Sequence, residues 1–357
     1  MSIGRQACCI AALLAVNTFY CHALNEPGAP SKAPAIGGTF LQLLAHHGEW
    51  EEGEWGRLFD EFESLKLSRI VVQWTVSADL AFYRSQSVRY GKKPPLETIL
   101  ELADRKGMRV SVGLWHDPAY WQSIQASPPL VEVYLRRSRL RSVGIAEELA
   151  ALAKSHRSFE GWYITEEVDD TSWNDPPRRR LLTEHLELLS AALHQLVPDK
   201  QVGLSCFSNA TLDPRSLEDF WVSMLGGSRI NELLFQDGIG AHKLELSYLP
   251  LFLGAMRRAA TAAGRELAVI VEVYEQADGG EGGGSDFRAE PAPIGRIEQQ
   301  IALAAEHGSE EIVAFSVPDY MTAAAGQAQR HLLEAYVKRY LKQEPKQSIA
   351  RSSESPE

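Results

Sequence analysis

Short apolar runs rich in β-branched and aromatic residues alternate along this chain with longer segments whose apolar positions recur at helical spacing. The runs are TFLQLL (39–44), RIVVQW (69–74), RVSVGLW (109–115), GWYIT (161–165), QVGLSC (201–206), ELLFQ (232–236), LAVIVEV (267–273) and EIVAFSV (311–317). Between them lie helical patterns at Glu54–Leu65, Leu96–Lys106, Val131–His156, Arg178–Leu196, Leu249–Ala263, Ile294–His307 and Gln327–Lys342. Several of these end in helix C-terminal chemistry just before the next strand, as at Lys106-Gly107 and His307-Gly308. Eight strand-helix alternations over about 300 residues predict a single-domain α/β fold, a (β/α)8 TIM barrel over residues 37–342.

The ends of the chain read differently. Arg5 precedes an apolar run, Ala7 to Val16, that is too short to span a bilayer, and Cys21-His22-Ala23 supplies a small-x-small type cleavage site. Residues 1–23 are therefore expected to be a secretory signal cut after Ala23, leaving no stable membrane anchor and a periplasmic or secreted protein. Residues 24–36 are rich in Pro and Gly and read as a linker, and residues 343–357 read as a disordered polar tail. Of the four cysteines, Cys8, Cys9 and Cys21 fall in the signal, so the mature chain keeps Cys206 and has no internal disulfide.

A net charge of -11 argues against nucleic acid, because a polyanion requires clustered Lys and Arg. The basic group Arg136, Arg137, Arg139 and Arg141 sits in a helical stretch and reads as a solvated face. The glycine run 279–284 has no Lys-Ser/Thr after it and no helix opening on it, so it reads as a surface loop instead of a phosphate cradle. No cofactor motif is present in the sequence.

In a barrel of this type the site is built where the strands end, so the polar residues closing each run are the candidates. They include Gln42, Gln73, His116, Gln236, Asp237 and Glu272, with Glu166 and Glu167 after the fourth run. Strand alternation places Gly161, Tyr163, Thr165 and Glu167 on the barrel axis if Trp162 and Ile164 face the helices, which favours Glu167 over Glu166. Trp115, Tyr163, Tyr274 and Tyr320, with Trp74 and Trp121, add aromatic faces. Such faces, together with amides and carboxylates, suit a sugar ring, whose C–H faces are apolar and whose hydroxyls need partners. Glu167 and Glu272 together could divide the work at a glycosidic bond, one as general acid and base, the other as nucleophile. Asp237 could tune a neighbouring carboxyl or shape the turn with Gly238.

The stretches 39–43, 69–74, GWYITEEVDD (161–170), FQDGIG (235–240) and VEVYE (271–275) together resemble a bacterial domain family of unassigned function within the glycosidase-type TIM barrels. The likeness covers about 37 to 322. It implies a retaining glycoside hydrolase layout, with acid/base Glu167 on the fourth strand and nucleophile Glu272 on the seventh. One departure stands out: that clan usually has Asn just before the acid/base, where it holds the sugar 2-hydroxyl, and Glu166 occupies that position here.

The expected function is thus an exported glycoside hydrolase acting on a polysaccharide or oligosaccharide, with Gln42, Gln73, Trp115, His116, Tyr163, Gln236, Asp237, Tyr274 and Tyr320 binding sugar. A second reading is a non-catalytic glycan-binding barrel serving exopolysaccharide assembly or export. A third is a metal-dependent carbohydrate hydrolase or deacetylase in which His46, His47 and His116 meet at the mouth, although none has the spacing of a strong metal motif.

Overall fold

A computed structural model describes residues 34–277 and 287–342. The segments read as a signal and as a tail, most of the expected linker and the glycine run lie outside the described residues. Eight parallel strands close into a barrel in the order expected of a (β/α)8 fold. They are β1 (Gly38–Leu41), β2 (Arg69–Val72), β3 (Arg109–Gly113), β4 (Phe159–Asp169), β5 (Gln201–Phe207), β6 (Glu232–Gln236), β7 (Glu266–Glu272) and β8 (Glu311–Phe315). Each pairs in parallel with its sequence neighbours, and β8 closes on β1 through Gly38↔Val313.

The outer layer contains α1 (Glu52–Ser64), α2 (Leu96–Lys106), α3 (Pro128–Ser155), α4 (Pro176–Leu196), α5 (Pro214–Gly226), α6 (Leu249–Ala263), α7 (Ile294–Glu306) and α8 (Gln327–Tyr336). Helix α5 is absent from the segments read off the sequence, yet its start is chemically marked. Asp213 accepts hydrogen bonds from the backbone N–H groups of Arg215 and Ser216, and Pro214 takes the first helical position. The last helical pattern was read as running to Lys342, but α8 stops at Tyr336 and a wider π-type turn covers Val337–Leu341. No described helix is long and apolar enough to cross a membrane.

Alternation along the strands sorts side chains into two cores. Outward residues such as Trp162, Ile164, Leu233, Phe235 and Val271 pack under the helices. Inward residues form a compact plug of Phe40, Val71, Tyr163, Leu234, Ala268, Ile270 and Val313. Because the side-chain period is two, this plug fixes what lies above and below it. Two residues further on come Gln42, Gln73, Gln236 and Glu272; two residues earlier come Arg69, Glu232 and Glu311. The barrel interior is therefore an apolar layer between two polar ones.

One strand breaks the pattern. Ile164 pairs with Leu204 and Val168 with Cys206, so β4 advances four residues while β5 advances two. The bulge carries Thr165, Glu166 and Glu167, and β4 runs on to Asp169 instead of ending at Thr165. Bulges re-aim side chains at barrel rims, and this one separates the two adjacent glutamates.

Candidate active site at the barrel mouth

Above the apolar plug, at the ends where the strands terminate, lies a cavity of about 1430 Å³. Its walls include Gln42, Gln73, Trp115, His116, Glu167, Gln236, Tyr274 and Tyr320, so eight of the eleven candidate residues are brought to one surface. Trp74, Trp121 and Phe207 contribute further aromatic faces.

The bulge gives Glu166 and Glu167 different surroundings. Glu166, although it touches the cavity wall, is anchored into the helix layer by Ser138 of α3 and by His185 of α4, whose Nε2 lies 3.5 Å from Oε1. Burial alone would raise its pKa, but His185 and Ser138 outweigh it and hold the carboxyl below the usual range. Glu167 faces the cavity. Its Oε1 accepts from Gln236 Nε2 at 2.8 Å, and its carbonyl accepts from the Tyr120 hydroxyl at 2.7 Å, which pins the backbone. Burial pushes its pKa up, offset by Lys243 and Gln236 and reinforced by Glu272 and Asp169.

Glu272 ends β7 on the inward side, but it is almost fully buried and does not form part of the cavity surface. Its Oε2 accepts from the backbone N–H of Ala241 at 2.8 Å, and the Tyr274 hydroxyl also bonds to it. Burial raises its pKa against these donors and against Lys243 and Arg296. The segment that supplies Ala241 follows β6 and explains the Asp-Gly-Ile-Gly pattern. Gly238 adopts φ +68°, and its carbonyl accepts from the N–H groups of Lys243 and Leu244, which closes the turn. Gly240 lies against β7, where a Cβ would come within 2.3 Å of the Tyr274 carbonyl oxygen. Only glycine lets the loop come close enough for Ala241 to reach Glu272.

Asp237 corrects the expectation that it lines the sugar site. It is fully buried beneath this loop, off the cavity surface. One oxygen accepts from Gln300 Nε2 at 2.5 Å, the other from the Ile239 N–H at 3.2 Å and weakly from the Glu272 N–H at 3.4 Å. Burial and the neighbouring charge of Glu272 push its pKa up to about 7. Tyr163 is also misplaced by the sequence reading. It belongs to the apolar plug below the cavity, its hydroxyl 2.6 Å from Ser205 Oγ.

The other candidates are on the wall but partly committed elsewhere. Gln42 Nε2 donates to Gln73 Oε1 at 2.7 Å. Trp115 is 2% exposed, its indole N–H bonded to the Ala78 carbonyl and its face covered by Arg137 and Arg141. The His116 ring stacks on Trp74 at 4.3 Å, and burial lowers its pKa. Tyr274 and Tyr320 pack at 5.3 Å, with Phe287 at 5.6 Å from Tyr274. The histidines weighed as metal ligands do not converge: His47 packs against Trp50 and Trp55, and neither it nor His46 lines the cavity that His116 faces. Among the described residues, no group of three His, Cys, Asp or Glu is arranged for a metal. Cys206 fills the outer core, as expected of a buried thiol.

Lys243 was not anticipated. It lines the cavity with Nζ 3.1 Å from the centroid of the Phe207 ring, and nothing in the strand-helix pattern marks a lysine seven residues past a strand end.

Residues 36–328 match the family described as Domain of unknown function (DUF4434), and the chain belongs to it. An uncharacterized protein, YbcH of Escherichia coli K12, is 23% identical over 278 residues, covering 78% of this chain and 88% of that one. Among solved structures, a putative alpha-L-fucosidase from Bacteroides thetaiotaomicron superposes with a TM-score of 0.71 at 16% identity, over 86% of this chain and 95% of that one. A beta-galactosidase from Bacillus circulans sp. alkalophilus gives 0.56 at 11% identity (87% and 56%), and an endo-beta-1,4-mannanase from Thermotoga petrophila 0.53 at 10% (87% and 77%). At these identities the likeness establishes the (β/α)8 TIM barrel fold and no more.

Proposed function

We propose that this DUF4434 family member is an exported glycoside hydrolase that cleaves a polysaccharide by a two-carboxylate retaining mechanism. The observation that carries the reading is the isolation of Glu167 on the cavity surface, with Gln236 as its side-chain donor, while Glu272 sits at the end of β7 close enough for its charge to act on Glu167. In this scheme Glu167, its pKa raised by burial, protonates the leaving glycosidic oxygen. The Glu272 carboxylate attacks the anomeric carbon to form a glycosyl-enzyme. Water then attacks that carbon, Glu167 takes its proton, and the bond to Glu272 breaks.

The cavity volume exceeds the about 300–1,000 Å³ usual for small-molecule sites, which suits a ligand of several sugar rings. Attack by Glu272 requires its carboxylate to leave the Ala241 N–H, or the loop carrying Ala241 to shift, because in this conformation it lies off the cavity surface. That same burial favours a second reading, a glycan-binding barrel without turnover.

Glu167→Gln and Glu272→Gln separate the two. Hydrolysis predicts that purified protein releases reducing ends from its host's own extracellular polysaccharide and that each variant loses at least about 10³-fold in rate. Equal polysaccharide binding by wild type and variants, with no reducing ends released by wild type, would leave the binding reading in its place. Export has its own check: N-terminal sequencing of the protein recovered outside the cytoplasm is expected to begin at Leu24.

A further inference from the structure

Among the described residues, one ammonium acts on the carboxylates at the barrel mouth without pairing with any of them. Lys243 lies on the cavity wall at the edge of the β6 loop, and its Nζ rests on the face of Phe207 at the end of β5. Among the described residues its side chain makes no hydrogen bond, and no carboxylate oxygen lies within 4 Å of it. Its charge nonetheless acts on Glu167, Asp169 and Asp170 of the β4 segment and on Glu272 of β7. The position is built: Gly238 and the two N–H bonds to its carbonyl set the loop, and a cation–π seat holds the ammonium.

A lysine locked in an ion pair spends its charge on one partner. A lysine held on an aromatic face and paired with no single carboxylate stabilises the ionised form of each one its charge reaches. Two of the four need little help. Asp170 accepts from Ser208 and from the N–H groups of Asn209 and Leu212, and Asp169 from Ser172 and Asn209. Among the described residues the Glu167 carboxylate has Gln236 as its one side-chain donor, and Glu272 shares its surroundings with the buried Asp237 and with Arg296, which donates to the Glu272 carbonyl.

We propose that Lys243 is a positioning residue, the shared counter-cation of the Glu167 and Glu272 pair, which sets the pH range over which one is protonated and the other ionised. The proposal rests on the two-carboxylate reading of the site for its catalytic meaning, while its electrostatic content can be measured without a substrate.

Reductive methylation of the full mature protein with ¹³C-formaldehyde gives each lysine an NMR signal that reports its titration, and the Lys243 signal is assigned by its absence in both Lys243→Arg and Lys243→Met. Lys243 is expected to titrate below the other lysines, because burial disfavours its charge. In Glu167→Gln and in Glu272→Gln, each of which removes a negative charge that favours the ammonium, its pKa is expected to fall further. With any polysaccharide that is turned over, Lys243→Met should move both limbs of the kcat/KM profile to higher pH, since loss of a cation raises both carboxyl pKa values, and Lys243→Arg should restore them.

A Lys243 signal that titrates with the remaining lysines and is indifferent to both glutamine variants would overturn the proposal and leave Lys243 as a cap on Phe207. The failures are distinguishable. Undiminished turnover in Glu167→Gln and Glu272→Gln sinks the hydrolytic mechanism whatever Lys243 does. Lost turnover in those variants with an uncoupled Lys243 sinks only this inference.

Discussion

The two ends of the barrel interior hold similar numbers of acidic groups in opposite states. At the end where the strands begin, the Arg69 guanidinium grips both oxygens of Glu232 at 2.6 Å, meets Glu160 at 2.8 Å and Glu311 at 3.1 Å, and bonds to Ser111. Arg109 joins Glu160 and Glu311 from outside. Glu160, Glu232 and Glu311 each have a guanidinium in contact. At the other end Glu167 has an amide, Glu272 a backbone N–H and a tyrosine hydroxyl, Asp237 an amide and a backbone N–H, and among the described residues the ammonium of Lys243 pairs with none of them. The same strands and pleat produce both layers, so the contrast is one of chemistry. The lower layer pairs its charges inside the barrel; the upper one leaves those three carboxyl groups without a guanidinium or ammonium in contact among the described residues, as the proposed proton transfer would require.

The contrast can be broken from either side. The largest stability effect is expected at the bottom: Arg69→Met leaves Glu232 buried without its partner and should cost about 3–5 kcal/mol in urea unfolding, with Arg69→Met combined with Glu232→Gln recovering a large part. An Arg69→Met protein as stable as wild type would show that the lower cluster is not what holds that end together. A smaller loss, about 1–3 kcal/mol, is expected for Glu166→Gln, which weakens the bonds to His185 and Ser138 while leaving Glu167 in place. Turnover should survive this change and fail in Glu167→Gln; the reverse ranking would exchange the roles of the two neighbours.

The smallest effect concerns Asp237. Its pKa is about 7 in the folded protein against an ordinary value of 3.8, so the folded state holds an extra proton between these limits. Wild-type stability should therefore decline as pH rises through that interval, relative to Asp237→Asn, which carries no such group. Thermal unfolding at pH values from about 4 to about 8 measures the difference, and parallel profiles for the two proteins would place Asp237 among ordinary carboxylates.

Much of the architecture was legible because it rests on periodicity. All eight strands and seven of the helices were visible as apolar runs and helical spacing, and the period of two along β4 already separated Glu167 from Glu166. What stayed hidden depends on departures from period. The bulge in β4 inserts residues that no alternation reveals, and α5, absent from the segments read off the sequence, begins with Asp213-Pro214, a start signal that was present. Tyr163 and Asp237 were read as cavity residues because both have polar tips near strand ends. Their depths differ: Tyr163 is one pleat too low, and Asp237 lies under a loop that only Gly238 and Gly240 permit. Lys243 reaches the site through the shape of that loop, which has no counterpart in the hydrophobic pattern.

The central claim is that Glu167 and Glu272 form a working pair with Glu272 as the nucleophile. Incubating the protein with a panel of activated 2-deoxy-2-fluoro glycosyl fluorides, followed by peptide mass spectrometry, tests it most directly, because a slowed second step accumulates the glycosyl-enzyme. The account predicts one added sugar on the peptide containing Glu272, absent in Glu272→Gln. An adduct on Glu167 or on any other residue, or an unmodified protein across the panel, would contradict it.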